Sequence, residues 1–351
     1  MRPVDPSIPL PAQPADIRFP TEEWSGGSFA SNVDSSRLMA LLDKAFAKDP
    51  PEDLGETHAF LAIQNGRIVS ERYWQEAGPK DTWPSWSVAK SITHALVGIL
   101  VKDGLIDIHA PADVPEWQAD NDPRRAITLD QLLRMSSGLQ FAEDYVDAGV
   151  SHVIEMLFGA GNQDVAAYAA GFPLAHAPDA MWSYSSGTTN IVARCAARAL
   201  GKSGADFEAF MRERLFDTLG MKSPMPKFDP ADTFIGSSFC YCTARDFARF
   251  GLLYLRDGVW DGQRILPEGW VDYARTPTPV PEDEVRGYGA HWWLDMFGPD
   301  TFSANGYQGQ FIILAPKNDL IVVRHGNSDE ESGQGENARA WLSDVVSCFT
   351  G

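Results

Sequence analysis

Cysteine is scarce in this 351-residue sequence, with four residues at positions 195, 240, 242 and 348. Cys240 and Cys242 lie two apart, so in an extended chain they share a face but sit too far apart to bridge. They also lack the two-residue gap of a zinc knuckle. The set reads as reduced structural thiols rather than a disulfide framework. Basic residues are outnumbered, 29 Lys and Arg against 48 Asp and Glu, for a formal net charge of -19. An acidic surface repels phosphates and anionic membranes, which sets nucleic acid aside as a partner. No apolar run approaches the roughly 18 residues of a membrane span. The opening Met1-Arg-Pro-Val-Asp-Pro-Ser-Ile-Pro is too rich in proline for the apolar core of a secretion signal. The expected compartment is therefore the cytoplasm, or the periplasm if a leader has been removed. His-Glu-x-x-His is missing, as is a glycine-rich phosphate loop ahead of a helix, so neither a metal site nor an organic cofactor is expected. The Gly-x-Ser-x-Gly elbow and the βαβ rhythm of α/β-hydrolases are absent too, which counts against a Ser-His-Asp triad. His94 and His325 are expected as packing or rim residues.

What is present is an ordinary globular composition, 44% hydrophobic and 22% charged, on a chain long enough for a large core. Residues 1–33 are rich in Pro, Gly and Ser and read as an extended arm laid over the body. A helix is expected near Ser35–Ala47. Two alternating runs, His58–Gln64 and Arg67–Trp74, flank Asn65-Gly66, a strong hairpin signal. Residues 104–236 turn helical and loop-rich, with helices expected at Leu129–Met135, Thr189–Leu200 and Asp206–Leu215. Ala244–Leu255 reads as a further helix. The C-terminal stretch reads as strands at Tyr288–Met296, Thr301–Ala304, Gln310–Leu314 and Leu320–Arg324, closed by a helix near Asn337–Val346. The expected fold is therefore α+β. An antiparallel sheet flanked by helices is built from residues 34–103 and 237–351, and a mostly helical domain, 104–236, is inserted between them.

Chemistry enters at Ser87-Val-Ala-Lys90, just ahead of an apolar stretch in which Ile92, Ala95, Leu96, Ile99 and Leu100 recur at helical spacing. Residues three apart share a helix face, so the Ser87 hydroxyl can meet the Lys90 amine. A lysine in a low-dielectric site is neutral enough to help deprotonate a serine. The helix N-terminus adds N–H groups and positive partial charge where an oxyanion would develop. Chance supplies about one Ser-x-x-Lys in a chain of this length, so the pair needs support from elsewhere.

That support comes from several segments. Gly104-Leu-Ile-Asp107 with Pro111 precedes Thr128-Leu-Asp-Gln-Leu-Leu-Arg-Met-Ser-Ser-Gly-Leu139. Phe216-Asp-Thr-Leu-Gly-Met221, Thr243-Ala-Arg-Asp-Phe-Ala-Arg-Phe-Gly-Leu-Leu253 and Gly262-Gln-Arg-Ile-Leu-Pro267 follow. With these the chain resembles the serine β-lactamase/penicillin-binding superfamily over about residues 55–349. In particular it resembles the branch of class C-like esterases and 6-aminohexanoate-dimer hydrolases.

The resemblance implies site residues. Tyr184-Ser185-Ser186 matches the family's Tyr-x-Asn or Tyr-x-Ser motif, making Tyr184 the expected general base and Ser186 a hydrogen-bonding member of the Ser-Lys-Tyr network. The Lys-Thr-Gly motif falls on Ala304-Asn305-Gly306, whose lysine is absent, which counts against carboxylated β-lactams and peptide termini. Tyr307, after Gly306, would supply an oxyanion N–H beside that of Ser87. Phe141-Ala-Glu-Asp-Tyr145-Val-Asp147 is similar to a loop whose tyrosine bonds the scissile amide nitrogen. Tyr145 is expected either in that role or packed on the cleft rim. The implied activity is serine hydrolysis of small esters or linear amides through an acyl-serine. A weak ligand-binding module and a true β-lactamase or D-Ala carboxypeptidase remain as alternatives. Trp86, Trp182 and Trp292-Trp293 are expected to add aromatic surface to the cleft.

Overall fold

Seven strands form one antiparallel sheet, and the residues at its centre explain why. They are β1 (Glu56–Gln64), β2 (Arg67–Tyr73), β3 (Gly287–Tyr288), β4 (Trp293–Leu294), β5 (Phe302–Gly306), β6 (Gln310–Ala315) and β7 (Leu320–Asn327), in the order β2-β1-β7-β6-β5-β4-β3. This computed structural model describes residues 8–145, 151–280 and 287–350. The start of the arm and the end of the loop running to Asp147 lie outside the described residues. Side chains alternate across a strand. Phe60 and Ala62, Phe311 and Ile313, and Leu320 and Val322 enter one core. Ala59, Leu61 and Ile63, Ile312 and Leu314, and Ile321 and Val323 enter the other. Both faces are covered, so these strands read as continuous apolar runs. The fold is α+β, with the sheet drawn from both ends of the chain.

Helices α1 (Ser35–Ala45) and α5 (Gln334–Ser347) close one face through Leu38, Leu42, Trp341, Leu342 and Val345. On the other face lie α2 (Val88–Lys102), α3 (Ser186–Leu200) and α4 (Ala244–Leu255). Val88 through Leu100 are all buried, so α2 is a central helix without a solvent face. The stretch 104–236 adds short helices, including Leu129–Leu133, His152–Phe158, Val165–Ala170 and Gly204–Met211. The last of these runs into a π turn at Arg212–Phe216 where an α-helix to Leu215 was expected.

Asn65 and Gly66 both have positive φ, 51° and 72°, as a two-residue hairpin turn requires. The arm covers the exposed edge of β2, Gly27 N–H donating to Ile68 O and Ile68 N–H to Ser25 O. Tyr288–Met296 is two short strands rather than one. His291, at φ 55°, breaks the extended run, and Ala290 and Trp292 turn into the core. The four cysteines are unpaired and buried. No helix among the described residues is long and apolar enough to cross a membrane.

Candidate active site

Two helix N-termini meet at the site. Ser87 caps α2, yet its side chain makes no capping bond, although a serine there ordinarily accepts from an amide of the first turn. Trp86, with φ 42°, sharpens the turn into the helix. The Ser87 Oγ instead accepts from Lys90 Nζ at 2.9 Å. At the second helix, Ser185 caps α3 by accepting from Thr188 N–H, and Ser186 is the first helical residue. Lys90 Nζ also donates to Ser186 Oγ at 2.9 Å and to Ser237 O at 3.0 Å. All three ammonium protons thus have acceptors.

Burial pulls the Lys90 ammonium down to about 8, against the opposing effect of the Glu143 charge. Tyr184 stands beside it, its ring centre 4.8 Å from Nζ, wedged against Trp293 at 5.4 Å and Tyr288 at 5.9 Å. Burial, with Glu143 adding to it, pushes the Tyr184 phenol above its ordinary value, and its hydrogen bond with Ser87 offsets only part of this. Tyr184 is therefore a phenol at neutral pH.

Glu143 ties the second helix to the loop above it. It accepts from Ser186 N–H at 2.8 Å, from Ser186 Oγ at 2.5 Å and from the Tyr145 hydroxyl at 2.5 Å. In the sequence Glu143 stands in its loop with nothing to mark a role. Its partner Ser186 lies 43 residues away, so no local spacing marked it. His291 was also missed. Buried, it donates from Nδ1 to Lys90 O at 3.0 Å and accepts at Nε2 from Thr189 Oγ1 at 3.1 Å, stapling α2 to α3. Burial, helped by the Lys90 charge, pulls its pKa to about 3, so it is neutral there.

The opposite wall is the end of β5. A side chain at Gly306 would run into the Ser85 carbonyl, so this glycine lets the strand end close on the Ser85-Trp86-Ser87 turn. The Tyr307 ring stacks on Tyr145 at 5.1 Å and meets the edge of Trp86 at 5.7 Å. Ser87, Tyr145, Tyr184, Gly306 and Tyr307 line one cleft of about 820 Å³. Lys90 and Ser186 lie beneath its floor. Trp182 and Trp293 line the cleft, whereas Trp292 is fully buried in the core, because adjacent residues near a strand start point to opposite faces. The rim carries Asp144, Glu330 and Glu331, and Arg339 there is engaged by Glu330 at 3.4 Å. His94, bonded to Tyr254 at 2.7 Å, and His325 are buried away from the cleft. Among the described residues no three His, Cys, Asp or Glu side chains are grouped to hold a metal ion.

This chain is 26% identical over 286 residues to the 6-aminohexanoate-dimer hydrolase of Paenarthrobacter ureafaciens, covering 76% of this chain and 72% of that protein. A Bacillus anthracis structure provisionally named as a 6-aminohexanoate-dimer hydrolase superposes with a TM-score of 0.73 at 23% identity, over 95% of this chain and 91% of that one. A penicillin-binding protein homologue from Caulobacter crescentus gives 0.66 at 17% identity, over 90% and 99%. At these identities the structures share the fold. The sequence model described as Beta-lactamase matches residues 55–345, and the chain belongs to that family.

Proposed function

We propose that this protein is a serine hydrolase that cleaves small esters or linear amides through an acyl-serine. The observation that carries the reading is the 2.9 Å contact between Lys90 Nζ and Ser87 Oγ at the head of a buried helix that opens on an aromatic cleft. Ser87 Oγ attacks the substrate carbonyl carbon as its proton passes to Lys90. A lysine whose pKa is near 8 offers the free amine this needs at modest cost. The carbonyl electron pair moves onto oxygen, which rests on the N–H groups of Ser87 and Tyr307. When the tetrahedral species collapses, the bond to the alcohol or amine breaks. The leaving group takes the Tyr184 proton, which Lys90 replaces. Water then attacks the acyl-serine and the same groups return the proton to Ser87. The raised Tyr184 pKa keeps the phenol protonated, which favours Lys90 as the first base and Tyr184 as the donor to the leaving group.

The cleft supports uncharged acyl groups. Its walls are Trp182, Tyr184, Trp293 and Tyr307, and its rim is acidic, with its arginine already paired. We assign Tyr145, which lines the cleft and whose hydroxyl donates to Glu143, to bond a scissile nitrogen. The name of the Paenarthrobacter relative puts 6-aminohexanoate dimer among the substrates to assay. The test is steady-state hydrolysis of p-nitrophenyl esters, linear amides and carboxylated β-lactams by the wild type and Ser87→Ala. Esters or amides should lead the ranking, with turnover abolished in the variant. Equal turnover by both proteins would sink the assignment.

A further inference from the structure

A second buried polar cluster lies under the end of β5, and the proposed chemistry does not use it. Arg324 on β7 is fully buried, and among the described residues it pairs with no carboxylate. A buried charge without an opposite charge is costly. The guanidinium instead donates to neutral oxygens. Nη1 reaches Gly309 O at 2.9 Å, and Nη2 reaches Glu56 O at 3.0 Å and Ser328 Oγ at 2.9 Å. Nε and Nη2 share Thr57 Oγ1 at 3.2 Å.

Gln310, also buried, works beside it. Its Nε2 donates to Gly326 O at 2.7 Å and lies 3.3 Å from Tyr307 O and 3.4 Å from Gln308 O. Its Oε1 accepts from His325 Nδ1 at 2.9 Å, which fixes the amide's orientation. Ser328 N–H donates to Gln308 O at 3.0 Å. All three carbonyls of the Tyr307-Gln308-Gly309 loop between β5 and β6 are thus held from beneath. Gly309, at φ 85°, and Gly326 lie so close to the guanidinium that a Cβ on either would collide with it.

We propose that Arg324 and Gln310 are positioning residues that fix the 307–309 loop so that the Tyr307 N–H faces the substrate carbonyl. This rests on the reading above in which Tyr307 supplies an oxyanion donor. The Tyr307 N–H belongs to the Gly306–Tyr307 peptide, at the end of β5 where Gly306 pairs with Gln310. The held carbonyls fix the peptide planes that follow, so the chain beyond that N–H cannot swing and turn it away from the cleft. The central, uncompensated charge then has a use that an apolar replacement could not supply. An oxyanion donor works only when it is preorganised before charge develops.

The experiment compares wild type, Gln310→Met, Arg324→Met and Arg324→Lys. The readouts are kcat and KM for a p-nitrophenyl ester, inhibition by a boronic acid that forms a tetrahedral adduct on Ser87, and thermal midpoint. Preorganised donors are worth about 100-fold or more, so a loosened one should lower kcat by about 10- to 100-fold. KM should stay within about threefold, boronate affinity should fall in parallel with kcat, and Arg324→Lys should recover part of the loss. A folded Gln310→Met protein with wild-type kcat and boronate affinity overturns the inference, as does a lowered midpoint with unchanged kcat. If Arg324→Met does not fold, Gln310→Met decides. The underlying reading fails separately, on the wild type alone, if no acyl group or boronate attaches to Ser87.

Discussion

Lys90 and Arg324 are both cations buried in this molecule, and they are treated in opposite ways. Lys90 lies at the start of α2, under the cleft, with Glu143 close enough to influence it. Arg324 lies on β7 with only neutral acceptors around it. Burial lowers both, Lys90 to about 8 and Arg324 to about 9. The ammonium lands where it can give up and regain a proton near neutral pH, whereas the guanidinium remains charged and serves as a fixed set of donors. Lysine is the residue for proton transfer, and arginine's planar fork is the residue for holding several acceptors at once. The two clusters lie at opposite walls of the same cleft; in the proposed reaction one moves a proton and the other holds a loop.

The sharpest way to break this comparison is to replace each cation by methionine. Lys90→Met should lower acylation of Ser87 by about 1000-fold or more. Its urea-unfolding free energy should change by only about 1 kcal/mol, because a costly desolvated charge leaves with its bonds. Arg324→Met should cost about 3 kcal/mol or more, since four buried acceptors lose their donor. Equal destabilisation by the two would remove the distinction.

The next largest effect is on pH. In the proposed reaction the free amine is the working form of Lys90, so kcat/KM should rise with pH through an inflection near 8 and then level off. A profile falling across that range would contradict the assignment of Lys90 as base. Glu143→Gln sharpens the same point. It removes the negative charge that raises the Lys90 pKa, so the inflection should move to lower pH, read from the kcat/KM profile. An upward move would show that Glu143 acts some other way. The smallest effect is expected at the β1–β2 hairpin, away from both cations. Gly66→Ala, at φ 72°, should cost about 1 kcal/mol in urea unfolding and leave the pH profile unchanged.

The parts of the site legible in the sequence were those with a local signature. Ser87 and Lys90 lie one turn apart on a helix whose apolar period is plain, and the structure brings them into contact. Asn65-Gly66 marked its hairpin, and Ala244–Leu255 marked its helix at both ends. Tyr184, Gly306 and Tyr307 were found by resemblance, and they line the same cleft as Ser87. Contacts between distant segments left no such trace. Glu143 meets Ser186 across 43 residues, and Arg324 meets Glu56 and Thr57 across more than 260. In the sequence Arg324 was just the end of a strand, and nothing in Leu-Ile-Val-Val-Arg distinguishes a buried arginine from an exposed one. The direction of the Tyr184 shift was also hidden, because burial and the Glu143 charge cause it and both depend on the fold. Trp292 and Trp293 could not be separated until the turn at His291 set which of them faced the cleft.

The central claim is that Ser87 carries the acyl group, and intact-protein mass after brief mixing with a p-nitrophenyl ester tests it most directly. The account predicts a burst of nitrophenol matched by one added acyl mass, mapped to the peptide containing Ser87 and absent in Ser87→Ala. An unmodified wild-type protein, releasing nitrophenol no faster than the variant, would contradict it.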